Sequence, residues 1–203
     1  MALLEDEPKY PAKTLITIGI PAFLLAVLIS VVTHQYAHFI VDKIASKQEA
    51  ISSSNIVYID FHGMSFSSPV AAAAGPAWTF LLALVSFGFY LNNPRNLFAA
   101  AMAFVNASAR LPETITVFLQ LLIHNKTTLL VDESFSLSLF KLTDPTISII
   151  CLCFFSLTIL FLTIIIIHDT KMIPWKWLVA IILFITMIPL EYLISNAIAP
   201  FIT

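Results

Sequence analysis

The sequence predicts an all-α integral membrane protein of about five transmembrane helices, with a short membrane-associated β segment between the first two. Three observations predict it. Only 11% of the 203 residues are charged, against about 25% in an ordinary soluble domain. Hydrophobic residues make up 59% and the mean hydropathy is +0.94, so a globular surface could not be covered with polar groups. The apolar runs are also long: a bilayer core about 30 Å thick needs roughly 20 apolar residues in a helix. Residues 1–203 read as a single transmembrane domain, with the lipid bilayer as the solvent for much of it.

Five segments meet the length requirement: Thr14–Ile44, Pro69–Leu91, Leu97–His124, Thr146–Ile167 and Pro174–Ile198. The first is longer than a bilayer needs and carries Pro21 early. The mixed-charge start Met1–Lys13 is unlike a cleavable signal, so this helix is expected to be retained. Ile56–Phe61 is β-branched and aromatic and reads as a short strand. Asn92-Asn93-Pro94-Arg95 reads as a tight turn, and residues 124–145 as a longer polar loop.

Five crossings put the termini on opposite sides. Lys9, Lys13, Arg95, Lys171 and Lys176 then share one side, and Lys43, Lys47, Lys126 and Lys141 the other. The positive-inside rule favours a cytoplasmic N-terminus, by one charge. The net charge of -2 supplies no basic face for nucleic acid. Cys151 and Cys153, two positions apart in an apolar run, suit neither a disulfide framework nor a zinc finger.

Polar side chains inside a membrane segment are costly, so each is a functional candidate. The first helix holds Thr33-His34-Gln35-Tyr36-Ala37-His38-Phe39. Histidines at i and i+4 share a helical face and can offer two imidazole nitrogens to one metal ion. In the HExxH pattern the residue after the first His is a Glu, the general base toward the attacking water. Here it is Gln35, nearly the same shape but without a group that takes a proton at neutral pH. Such a pair can also serve structure alone, by capping or hydrogen bonding near the interface.

Downstream, Ala74-Gly75-Pro76-Ala77 opens the second helix, and the third carries Asn106-Ala107-Ser108-Ala109-Arg110-Leu111-Pro112. In this order, over Thr33–Pro112, the three elements resemble the HExxH, Ala-Gly-Pro and Asn-x-x-Pro signatures of the site-2 protease family, the M50-type intramembrane zinc metalloproteases. Ile56–Phe61 is similar to that family's membrane-associated β segment. The resemblance implies a Zn2+ cofactor held by His34, His38 and a carboxylate. It also implies hydrolysis of a transmembrane or short hydrophobic peptide substrate. The chain departs from the family at Gln35, and in lacking the Leu-Asp-Gly element that supplies the third ligand. Asp132, before the helical-looking Phe135–Leu142, and Glu113, close to Asn106, are the two substitutes. Arg110, three residues before Glu113, offers that carboxylate a structural role instead.

Asn106 reads either as a donor to a substrate or oxyanion or as an interhelical hydrogen-bonding group. The substrate helix must unwind locally, and Ile56–Phe61 can hold it as an added strand. Gln35 leaves two origins open, a form in which Glu was replaced or a natural non-catalytic relative that binds membrane partners. A transporter or redox protein using the two histidines is the other class of reading. His62, beside Gly63, reads as a turn histidine or as a residue lining the mouth of the site, and His124, His168 and Glu191 are assigned no role in catalysis.

Overall fold

The computed structural model describes residues 11–49, 58–59, 65–66, 68–111, 140, 145–169 and 176–202. A short α1, Ala12–Thr14, runs through a π-helical turn, Leu15–Gly19, into the long α2, Ile20–Glu49. Two-residue strands β1, Tyr58–Ile59, and β2, Ser65–Phe66, pair antiparallel, with Tyr58 opposite Phe66 and Ile59 opposite Ser65. The rest of the expected strand Ile56–Phe61 lies outside the described residues. Then follow α3, Pro69–Asn92; α4, Leu97–Ser108; α5, Pro145–Asp169; and α6, Lys176–Ile202.

Local chemistry explains the boundaries. Pro21 has no N–H for the Thr17 carbonyl, and its ring crowds the preceding turn. The backbone answers with a wider turn, in which the Ile20 N–H reaches the Leu15 carbonyl. α3 starts where Ser68 accepts a hydrogen bond from the Ala71 N–H at 3.2 Å, with Pro69 in its first turn. It ends at the expected turn, where the Asn93 N–H reaches the Phe89 and Tyr90 carbonyls. Asn96 caps α4 through the Ala99 N–H at 3.0 Å.

The third segment departs from expectation. A single helix over Leu97–His124 is predicted, but α4 stops at Ser108 and Ala109–Arg110 form a turn. A proline at position 112 has no N–H to donate to the Ser108 carbonyl, which weakens the helix at this turn. Leu111 is helical again, and residues 112–124 of the expected helix lie outside the described residues.

Three stretches are long and apolar enough to cross a membrane: Leu15–Ala45, Pro69–Asn92 and Lys176–Ile194. Leu97–Ser108 and Ser156–Asp169 are shorter apolar helices. α2 packs on α3, α4 and α6, and α4 packs on α3 and α5, so α2 and α4 form the centre. The interior combines an apolar cluster built on Phe23, Val27, Met102, Phe104, Ile166 and Met187 with small and polar side chains at the helix contacts. Ala26, Ala71, Ala72, Ala83, Ala103 and Ala107 are buried, together with Ser30, His34, Gln35, His38, Thr79 and Asn106. Leu24, Leu25, Leu28, Phe154, Phe161, Ile181 and Ile185 face outward. Small residues let helix backbones approach, and polar side chains bond across the interfaces, as in helix packing within lipid. In water, an apolar exterior this continuous would drive aggregation.

At the end where α2 and α4 begin and α5 ends, a partly enclosed cavity of about 190 Å³ is lined by Phe23, Ala100, Phe104, Ile166 and Leu183, among others. The polar cluster lies toward the other end, where α2 meets the start of α3.

Candidate metal centre

His34 and His38 stand one turn apart on α2, and both face the start of α3. Their rings meet edge to face, with centroids 4.7 Å apart and planes at 82°. The two Nε2 atoms are 3.1 Å apart. Each Nδ1 is held by α3: His38 Nδ1 lies 2.7 Å from the Ala71 carbonyl oxygen, and His34 Nδ1 lies 2.8 Å from Thr79 Oγ1. The register is antiparallel, since the earlier histidine on α2 meets the later residue on α3.

This proximity depends on Gly75. A Cβ built there would overlap His38 Nε2 and Cε1 and would lie 2.7 Å from His34 Cε1. Both imidazoles therefore lie across the bare backbone of Gly75. His38 is fully buried and His34 is 9% exposed.

Hydrogen-bond direction fixes part of the proton placement. A carbonyl only accepts, so His38 Nδ1 carries the proton that binds Ala71, and a neutral His38 presents its Nε2 lone pair to His34. Thr79 Oγ1 has one proton and two acceptors within reach, His34 Nδ1 and the Gly75 carbonyl at 2.7 Å. When it donates to Gly75, it accepts from His34 Nδ1–H, and both Nε2 lone pairs converge. That is the tautomer of paired metal-ligating histidines, each with its other ring N–H donated to a fixed acceptor.

Gln35 follows His34 and is 3% exposed. Among the described residues, its Oε1 is the buried side-chain atom without a hydrogen-bond partner. An unsatisfied buried acceptor costs about 1–3 kcal/mol, so a donor such as a water molecule fits beside it. Glu at this position would place a carboxylate oxygen there instead.

Asn106, 2% exposed, sits next in the cluster. Its Oδ1 accepts from Ser30 Oγ at 2.9 Å, and its Nδ2 donates to the Met102 carbonyl at 2.8 Å. Ser30 is one turn before His34, so Asn106 joins the dyad through α2. Of the two sequence readings, the interhelical hydrogen bond is the one these contacts form. One amide proton remains for another acceptor.

Among the described residues, no third His, Cys, Asp or Glu joins the two histidines. Asp132 and Glu113 both lie outside the described residues. The residues present fit two ligands of a divalent metal in donor type, convergence and outer hydrogen bonding. Sequence reasoning assigned no role to Thr79 or Ser30. The signal for Thr79 was its spacing, four residues after Gly75 and so on the same helical face.

Searches of protein-family models, curated proteins and solved structures return no match to this chain.

Proposed function

We propose that this chain is a multi-pass intramembrane zinc metalloprotease of the site-2 protease type, held inactive by Gln35. One observation carries the reading. Two buried imidazoles, one turn apart and backed by α3 acceptors, have their Nε2 atoms 3.1 Å apart. A purely structural histidine pair does not require a glycine cradle and an orphaned acceptor at the next residue. The sequence order of His-x-x-x-His, Ala-Gly-Pro and Asn…Pro supports the same reading. The proposed topology has about five crossings and a cytoplasmic N-terminus.

Zinc in this site would supply a Lewis acid that polarises the scissile carbonyl and makes water more acidic. His34 and His38 would hold it through Nε2, with Asp132 or Glu113 completing the ligands. Gln35 Oε1 can accept a hydrogen bond from the attacking water but cannot take its proton. A Glu at this position would take that proton and return it to the leaving amine. Asn106 has an amide proton to offer the substrate backbone or developing oxyanion.

The substrate class is a transmembrane or short hydrophobic peptide, locally unwound, because a helical carbonyl is already hydrogen-bonded. The β1–β2 pair precedes Ser68 and α3 in the chain, so it is suited to hold such a segment as an added strand. Proline substitutions at alternate positions of Ile56–Phe61 should impair cleavage by the restored enzyme, and unchanged cleavage would remove the strand from the proposal.

Restoring the base tests the function. Gln35→Glu protein in detergent or liposomes, supplied with zinc and a hydrophobic peptide, should show chelator-sensitive hydrolysis absent from the Gln35 form. A zinc-loaded Gln35→Glu protein that cuts none of a panel of transmembrane peptides would favour a non-catalytic, partner-binding role.

A further inference from the structure

We infer that the Thr79 hydroxyl is a proton switch: it lets the histidine pair exist either as a closed hydrogen-bonded dyad or as two metal-ready ligands. The inference deepens the zinc reading and rests on it.

The closed state follows from the acceptors around two neutral imidazoles. The Ala71 carbonyl fixes the His38 proton on Nδ1, so His38 Nε2 is an acceptor. Across 3.1 Å, His34 Nε2 must then be the donor. His34 Nδ1 is left as an acceptor, and the Thr79 hydroxyl supplies the proton it needs at 2.8 Å. Every polar atom of the dyad is satisfied without a cation.

The open state uses the same atoms. Thr79 rotates its hydroxyl proton to the Gly75 carbonyl at 2.7 Å and accepts from His34 Nδ1–H. With a water molecule taking the proton from His34 Nε2 and returning one to Nδ1, His34 exchanges tautomers, and the two Nε2 lone pairs converge on one point. Both imidazoles remain neutral throughout, so the dyad binds a cation by exchanging tautomers without releasing a proton. A hydroxyl serves both states, because it can donate to His34 Nδ1 in one and accept from it in the other. Thr79 is therefore a positioning residue, acting on the metal through His34.

The experiment uses the full chain in detergent, with zinc titrated into wild type, Thr79→Val and Thr79→Ser. Outer hydrogen-bond partners of ligating histidines contribute about 10–100-fold to metal affinity. Thr79→Val, which keeps the shape and loses the hydroxyl, should weaken zinc by about that factor, whereas Thr79→Ser should stay close to wild type. In parallel, nitrogen NMR of 15N-histidine-labelled wild type, with His34 assigned by comparison with His34→Ala, reads the tautomer directly. It should change from Nε2–H without zinc to Nδ1–H with zinc. Zinc bound equally by wild type and Thr79→Val, or one unchanged His34 tautomer in both states, would overturn the switch and leave the metal reading standing. No zinc bound by wild type would instead overturn the metal reading, and the switch with it.

Discussion

Gly75→Ala is the smallest change that tests the geometry of the cluster. The added methyl would overlap His38 Nε2 and Cε1 and come within 2.7 Å of His34 Cε1. The rings have little room, because His38 is fully buried and tied to Ala71, while His34 is tied to Thr79. Overpacking of this kind costs about 1–3 kcal/mol. Displacing the rings also gives up one or both α3 hydrogen bonds, about 0.5–1.5 kcal/mol each. Opposing this, alanine is favoured over glycine within a helix by about 1 kcal/mol. The balance is destabilising by about 0.5–5 kcal/mol, depending on whether one or both hydrogen bonds are lost.

Gly88→Ala on the same helix is the matched control, since a Cβ there meets nothing within 4 Å. It should be neutral or stabilising by up to about 1 kcal/mol. Thermal or denaturant unfolding in detergent, paired with a zinc titration, compares them. Gly75→Ala should lose both stability and at least tenfold in zinc affinity, while Gly88→Ala loses neither. If Gly75→Ala behaved like Gly88→Ala in both assays, the histidines could not lie over Gly75 as described.

Other consequences can be checked separately. A double-mutant cycle of Ser30→Ala and Asn106→Ala should give a coupling of about 0.5–2 kcal/mol in unfolding; a value near zero would mean that α2 and α4 are not joined by this hydrogen bond. Tyr90→Phe removes the hydroxyl that reaches the Asp169 carbonyl at 3.2 Å. It should cost about 0.5–1.5 kcal/mol without changing zinc affinity, and altered zinc affinity would show that the two ends of the bundle are coupled. Gln35→Leu removes the orphaned acceptor while keeping an apolar side chain of similar size. It should stabilise the zinc-free protein by about 1 kcal/mol or more, and clear destabilisation would show that Gln35 Oε1 is already satisfied.

The sequence made the helices legible wherever composition and length alone decide them. α3 runs Pro69–Asn92 where Pro69–Leu91 is expected, because Ser68-Pro69 starts it and the Asn-rich turn stops it. Within Leu97–His124 the turn at Ala109–Arg110 was not anticipated, although a proline at position 112 stands just beyond it; residues 112–124 lie outside the described residues. Pro21 was visible, but its π-helical consequence was not, since a proline can be absorbed by a kink, a break or a wider turn. The His34–His38 pair was legible because its partners lie four residues apart, within one helix. Thr79 and Ser30 were not, since their partners lie 45 and 76 positions away. A threonine in an apolar helix also reads as ordinary packing. Gly75 was visible within the Ala-Gly-Pro element, but what lies against it was decided by the register of α2 on α3.

The metal content of the detergent-purified protein, measured by elemental mass spectrometry beside a His34→Ala/His38→Ala double variant, tests the central claim most directly. About one zinc per chain, lost in the double variant, is the predicted result. No zinc in the intact protein, even after zinc is supplied, would contradict the claim and leave His34 and His38 as a hydrogen-bonded pair that joins α2 to α3.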